Sequence, residues 1–416
     1  MNGSEVVVTG LGATTPLGGD APSTWAALLA GESGLRDEAH GLLADAALPV
    51  TVAAAMAVDP AERLKPVQAR RLDRSQQAAL VAAAEAWADA GSPETDPDRL
   101  AAAVGTGIGG VRTLLQQDDL LESGGVRRVS PRTVPMLMPN GAAALVSIEY
   151  GARAGVYSPV SACSSGAEAI ALGARLIRSG EADVVIAGGT EAAVTPLTIA
   201  GFVQAAALSR HDGDPACASR PFAADRDGFV LGEGAAIVVL ESAEHAAARG
   251  AHVHAVLAGA GIASDAFHIT APAPDGSGQI AAMRKALGQA GIVPGDVSHV
   301  NAHATGTTVG DAAEAGAIGE VFGNGIPVTA PKASLGHLVG AAGAVEALIA
   351  ILSVEHDVIP PTRNLADAPI DPGIKLDVVT ARRDAPQRAV LSNSFGFGGQ
   401  NVSLVFTKQA RPSLTS

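Results

Sequence analysis

The segment Leu338–Val354 is almost wholly apolar for 17 residues and carries a single charge, Glu346, near its middle. No other feature constrains the fold as tightly. A membrane-spanning helix needs about 20 apolar residues. This run is shorter, is charged at its centre and contains Gly340 and Gly343, so it is expected to be a buried central helix. A helix apolar on every side has no solvent face and must lie between layers of other elements. Short runs rich in small apolar and β-branched residues can supply such layers, at Glu5–Thr9, Ala102–Gly105, Val184–Ala187, Ala236–Leu240, Val253–Ala258, His299–Asn301, Ala389–Ser392 and Val402–Phe406. Ala-rich helical stretches separate them, among them Gln76–Ala90, Ala167–Ser179 and Gln279–Ala290. This alternation predicts an α/β fold with buried sheets. Its order predicts an internal duplication whose halves join near Glu244–Ala251, giving residues 1–250 and 251–416, and a five-layered α-β-α-β-α body. The tail Lys408–Ser416 is expected to fray.

Composition narrows the function classes. Hydrophobic residues make up 47% and charged residues 17%, the reverse of a disordered chain. With 3% aromatics and 49 glycines, the interior must be built from Ala, Val, Leu and Ile with close helix packing. A net charge of −14 opposes general nucleic-acid binding. Two cysteines, Cys163 and Cys217, build no disulfide framework and suit a reducing, cytoplasmic setting. The opening MNGSEVVVTG has no basic region leading into an apolar stretch, so neither a signal peptide nor a membrane anchor is expected.

Four segments carry candidate chemistry. In SPVSACSSGAEA, Ser158–Ala169, an extended stretch leads into Cys163, small residues and then good helix formers. That places Cys163 at a helix N-terminus, where free N–H groups and the dipole favour a thiolate of lowered pKa. A small buried hydrophobe is the other reading these residues leave open. Cys217 lies in a polar loop and reads as incidental; the pair lacks metal-ligand spacing, and no metal site is expected. In VNAHATGTTVGD, Val300–Asp311, His303 ends a strand and meets a loop holding Thr305 and Thr307. It can reach a pocket or stand in solvent. In APKASLGHLVGAAG, Ala330–Gly343, His337 stands at the head of the apolar helix, where the dipole favours a neutral imidazole. Lys332, if buried, needs a carboxylate, and Glu314 is the candidate. In SFGFGGQN, Ser394–Asn401, Gly396 and its neighbours between Phe395 and Phe397 allow a close backbone approach of the kind an oxyanion hole uses; a tight hairpin with packed aromatics is the other reading. GTGIGG, Gly105–Gly110, is not followed by the Lys-Ser/Thr of a phosphate-binding loop.

Taken together with AGGTEA at Ala187–Ala192 and SRPFAADRDGFVLGEGA at Ser219–Ala235, these segments make a chain that resembles the elongating β-ketoacyl-acyl-carrier-protein synthases of the thiolase superfamily. The resemblance runs from Glu5 to Phe406 and leans towards the bacterial type II members, including mycolate-elongating relatives in actinobacteria. It implies the thiolase fold, a duplicated five-layered α-β-α-β-α body, in a homodimer or a heterodimer with a chain-length-factor paralogue. It implies Cys163 as acyl acceptor in a triad with His303 and His337, Lys332 beside them paired with Glu314, and an oxyanion hole at the N–H groups of Cys163 and Phe397. Phe397 would be a gate moving with Phe395 and Gly396, and Thr305 and Thr307 would touch pantetheine. No cofactor is implied: substrates ride on the phosphopantetheine of an acyl carrier protein. That carrier would dock on basic clusters at Lys65, Arg70, Arg71 and Arg74, at Arg127 and Arg128, and at Arg210. The implied reaction is decarboxylative condensation of a malonyl-carrier with an acyl group held on Cys163.

Three related classes fit less well. A degradative thiolase uses a second cysteine in its C-terminal loop, where this chain reads SFGFGGQN. Starter-condensing synthases have asparagine at the place of His337, and chain-length factors lack the nucleophile. Within the family, fatty-acid-type elongation and the ketosynthase subunit of a non-aromatic, reducing type II polyketide system both remain. Gln400, where primary-metabolism members usually have Thr or His, and Ser164, where they often have Ala, point to the second. The absence of a Cys-Thr-Ser-Gly pattern points away from the aromatic class.

Overall fold

The computed structural model describes residues 4–409 apart from Asp45 and Asp367. Ten strands form the frame: β1 (Val6–Thr14), β2 (Leu100–Gly105), β3 (Gly155–Tyr157), β4 (Val184–Glu191), β5 (Gly234–Ser242), β6 (Ala255–Ser264), β7 (His299–Asn301), β8 (Pro327–Thr329), β9 (Ala389–Gly396) and β10 (Gln400–Thr407). With a two-residue edge strand at Asp377–Val378, they join one eleven-stranded sheet. The order on one side is β3-β2-β4-β5-β1, and on the other β8-β7-β9-β10-β6. The two series are the same topology written twice, met antiparallel where Val7 faces Val256 and Val8 faces Ala255.

Side-chain alternation along the strands sets the layers. Val184 and Ile186 of β4 face an outer core with helix α1 (Arg74–Asp89), while Val185 and Ala187 face the centre. In the second half, Leu391 and Val405 face outwards and Val390 and Leu404 inwards. Helices α2 (Ser165–Arg178) and α5 (Ala342–His356) occupy the centre, α3 (Ser277–Ala290) covers β6 and β10 from outside, and α4 (Thr308–Phe322) packs on α3. Helix α1 begins where the sequence provides for it: the Asp73 side chain caps Ser75 N–H, and Gln76 reaches back to Asp73 N–H. The apolar run behaves as expected. Every residue of α5 from Ala342 to Val354 is buried, and 89% of Val339–His356, long and apolar enough to cross a membrane, lies inside the protein.

Glycines repeat with the duplication. A side-chain carbon on Gly10 or Gly12 of β1 would stand 2.1 Å from the carbonyl oxygens of Ala86 and Ala82 in α1. On Gly259 or Gly261 of β6 it would stand 2.1 and 2.0 Å from those of Ala286 and Ala282 in α3. The polar links repeat as well: Leu11 N–H donates to Asp89 at 2.9 Å, and Ala260 N–H to Gln289 at 2.6 Å. At the tail, Lys408 pairs with Asp357 at 2.5 Å, and residues 410–416, also expected to fray, lie outside the described residues.

Candidate active site

Both central helices start in the same way. A short turn precedes each, at Ala162–Ser164 before α2 and at Val339–Ala341 before α5. The first residue of each turn holds a left-handed backbone, Ala162 at φ +51° and Val339 at φ +46°. Such a conformation is costly without glycine and persists where the surroundings impose it. The helices meet glycine against alanine. A side chain on Gly166 would strike Ala344 and Gly340, and one on Gly343 would strike Ala167 and Ser394. This crossing brings the residues just before the two helices together, Cys163 from one half and His337 from the other. Ser161 N–H bonds Ser165 Oγ, and the Ser164 and Ser165 hydroxyls donate to the Ser161 and Ala162 carbonyls, which fixes the turn that presents Cys163.

His303 reaches the same point from the loop after β7. Its ligand atom, that of His337 and Cys163 Sγ all lie within 4.8 Å of one another, and the two rings meet edge to face with centroids 5.4 Å apart. All three residues are buried. Burial, reinforced by Lys332, holds both imidazoles well below the usual histidine range, with His337 adding to the effect on His303. His337 is therefore neutral, as expected, but burial comes first in the cause. Lys332 Nζ lies 3.3 Å from His303 Nδ1. An ammonium there can only donate, so Nδ1 accepts and the ring proton sits on Nε2.

Two expectations are corrected. Lys332 does pair with a carboxylate, but with Glu346 of α5 at 2.5 Å rather than Glu314. Glu314 instead accepts the N–H groups of His303 at 2.8 Å and Ala304 at 2.6 Å, so it holds the loop carrying His303. Burial pushes both carboxyls up to about 7 against the pull of hydrogen bonds and Lys332. The thiol differs as well. Burial pushes Cys163 up to about 11, outweighing the Phe397 N–H, Lys332 and its own N–H. The helix start does favour the thiolate, but dry surroundings dominate, so the thiol must lose its proton as it reacts.

The glycine loop closes over the nucleophile. A side chain on Gly396 would lie 2.5 Å from Ser161 O and 3.2 Å from Cys163 N, so only glycine allows this approach. Phe395 is half-buried with its ring 6.1 Å from that of His303, while Phe397 is exposed. A cavity of about 530 Å³ runs past Cys163, with Ile108, Phe202 and Phe229 on an apolar wall and Thr305 and Thr307 on a polar one. The two threonine hydroxyls lie 3.1 Å apart.

Motifs without an assigned role in the sequence turn out to hold this frame. Glu191 of AGGTEA is buried and accepts N–H groups from Gly107 at 2.7 Å and Gly340 at 3.1 Å, tying the cavity wall to the head of α5. Arg226 of RPFAADRDG donates to Thr308 O at 3.0 Å, and Asp311 accepts Gly306 N–H at 3.0 Å. Both therefore shape the Thr305–Thr307 loop. Their charged side chains on a polar stretch gave a clue to placement but none to partner. Of the basic residues, Lys65, Arg70, Arg71, Arg127, Arg128 and Arg210 are exposed. Arg74 is not free to dock: it is bound to Glu233 at 2.8 Å and Asp59 at 2.9 Å.

Comparison with known proteins agrees with this geometry. The family profile "Beta-ketoacyl synthase, N-terminal domain" matches residues 3–246, and "Beta-ketoacyl synthase, C-terminal domain" matches residues 254–366. A 3-oxoacyl-[acyl-carrier-protein] synthase 2 of Mycobacterium tuberculosis is 47% identical over 404 residues, 96% of each chain. Among solved structures, the ishigamide ketosynthase/chain length factor superposes with a TM-score of 0.90 at 32% identity, covering 98% of this chain and 100% of that one. A type II polyketide synthase acyl-carrier protein in complex with its ketosynthase, bound to the hexaketide, gives 0.89 at 30%, with the same coverage.

Proposed function

The chain belongs to the β-ketoacyl synthase family and is an acyltransferase of its elongating branch; from that premise we propose that Cys163, His303 and His337 carry the reaction, within a nucleophile half at residues 1–250 and a histidine half at 251–416. Cys163 Sγ attacks the carbonyl carbon of an acyl thioester. A neutral imidazole takes the thiol proton, and the departing carrier thiolate takes it back. The tetrahedral oxyanion lies between the N–H groups of Cys163 and Phe397. Malonyl-carrier then enters past Thr305 and Thr307. Its carboxylate leaves as carbon dioxide, and the bonding pair becomes an enolate whose oxygen receives hydrogen bonds from His303 Nε2 and His337. The enolate carbon attacks the acyl carbonyl on Cys163, forming the new carbon–carbon bond and releasing the thiolate, which takes up one proton from solvent. Lys332 sets the His303 tautomer, Glu346 balances its charge, and Glu314 orients the loop. None of these steps calls on a cofactor.

The convergence of thiol and two imidazoles within 4.8 Å carries this reading. Purified protein supplied with an acyl-carrier and malonyl-carrier should release carbon dioxide and yield a 3-oxoacyl-carrier two carbons longer. Free carbon dioxide without chain extension would reduce it to a decarboxylase and refute the condensing role.

The acyl carrier protein is the proposed substrate-bearing partner. Phe397, with Phe395 and Gly396, is proposed as the gate of the acyl site. Exposed Ile148 and Val160 near the edge strand β3 suit contact with a second subunit, and the cytoplasm suits the free thiols. The greater identity to the mycobacterial synthase favours fatty-acid-type elongation by a homodimer. Gln400 and Ser164 support the second reading, a ketosynthase paired with a chain-length factor. Condensation by this chain alone separates the two.

A further inference from the structure

Away from the catalytic cavity, two histidines and a glutamate converge where the halves of the chain join. His252 and His254 lie on the segment entering β6, and Glu355 lies in the last turn of α5. The Glu355 carboxylate receives His252 Nε2 at 3.0 Å on one oxygen and His254 Nδ1 at 2.8 Å on the other. One ligand atom from each residue lies within 4.8 Å of the other two, and the two rings stand edge to face with centroids 4.6 Å apart. Counted along α5 at about 1.5 Å per residue, Glu355 is roughly 20 Å from the helix head beside His337. The reaction described above uses none of these groups.

We propose that His252, His254 and Glu355 form a binding site for a divalent transition-metal cation of zinc type, a clasp between the two halves. The donor set, two imidazoles and a carboxylate, is one that zinc accepts, with waters completing the shell. Zinc bonds nitrogen and oxygen at about 2.0–2.2 Å. Adjacent donors in a tetrahedral shell then stand about 3.3–3.6 Å apart, so the existing separations of 3.0 and 2.8 Å need to open by less than about 1 Å. The surroundings are also those of a metal-bound histidine, whose second ring nitrogen normally donates to a carboxylate. His254 Nε2 bonds Asp89 at 2.9 Å, and that same Asp89 oxygen is fixed by Leu11 N–H at 2.9 Å. Asp89 ends α1 in the first half, so one ion would join the end of α1, the segment linking the halves and the end of α5. His254 and Glu355 are largely covered, with side-chain exposures of 11% and 21%, while His252 is 66% exposed. The third ligand can therefore swing in, and an ion can enter from solvent.

The test uses the full-length, tag-free chain carrying Cys163→Ala, because the catalytic thiol and its two imidazoles are themselves close enough to take zinc. Titrating zinc chloride by calorimetry should show one equivalent bound with micromolar affinity. At 100 times Kd, zinc should raise Tm by about 3 °C. Adding His252→Ala removes an exposed ligand and leaves the His254–Asp89 bond in place. It should leave Tm without zinc unchanged and weaken binding at least tenfold. Asp89→Asn should weaken it about 10–100-fold. No saturable binding in the Cys163→Ala chain, or equal affinity after His252→Ala, would overturn the site.

Discussion

Cys163 stands in the turn at the head of α2, where that helix crosses α5, and is buried with His303 and His337 beside it. Its setting among small residues before a helix was readable from the residues, and its meeting with His303 and His337 only from the family resemblance. Its protonation was not. Burial is set by the distant halves closing over it, and this pushes the thiol up to about 11 although the helix start pulls the other way. Alkylation of Cys163 by iodoacetamide should therefore climb about tenfold per pH unit from pH 6 to 10, following the thiolate fraction; a plateau below pH 8 would show a lowered pKa instead. The Lys332 partner was hidden for a related reason. Glu314 and Glu346 both sit on helices behind the site, and which carboxylate turns towards the ammonium depends on how those helices pack. The two imidazoles are argued to hold the enolate oxygen, and removing one such donor costs about 10²–10³ in rate. His303→Ala and His337→Ala should each slow carbon dioxide release from malonyl-carrier by that factor. Rates equal to the parent's would remove the enolate role.

Among the elements, the long apolar helix and the alternating strands were visible because periodicity and burial are local properties of sequence. The glycines that let the elements touch were not. Gly10 and Gly12 follow the expected strand Glu5–Thr9 with nothing beside them to mark a contact, since the helix they admit begins more than sixty residues later. Their counterparts Gly259 and Gly261 make the same contact in the second half, and Gly166 and Gly343 bring the nucleophile and the histidine to one point. Gly12→Ala puts a carbon 2.1 Å from the Ala82 carbonyl oxygen. It should destabilise the fold by about 1–3 kcal/mol, the usual cost of overpacking, seen as a lower urea midpoint at unchanged slope. An unchanged midpoint would mean the strand and helix pack more loosely than described.

On the scale of the whole molecule, the duplicated body was legible from the order of elements. The surface was legible only in part. A net charge of −14 would repel a carrier of acidic surface, so the proposed docking of such a partner calls for a local positive patch. Arg127 and Arg128, exposed in the turn after helix Val111–Gly124, are free for it; Arg74 is occupied by Glu233 and Asp59. Only structure separates these cases, because an arginine's partner is chosen in three dimensions. Reversing Arg127 and Arg128 to glutamate should raise KM for the carrier-bound substrate, more strongly at low salt since screening acts over about 10 Å at 0.1 M. Turnover of a pantetheine thioester without carrier should persist. Equal losses with both substrates would place the arginines in the fold or the site.

Everything proposed for the reaction depends on an acyl group being held on Cys163. Intact-mass spectrometry of the protein after brief exposure to an acyl-carrier, followed by peptide mapping, tests it directly. One acyl increment per chain is expected, located on the peptide containing Cys163 and absent from Cys163→Ala. An increment that persists in that variant, or none in the parent chain, would contradict it.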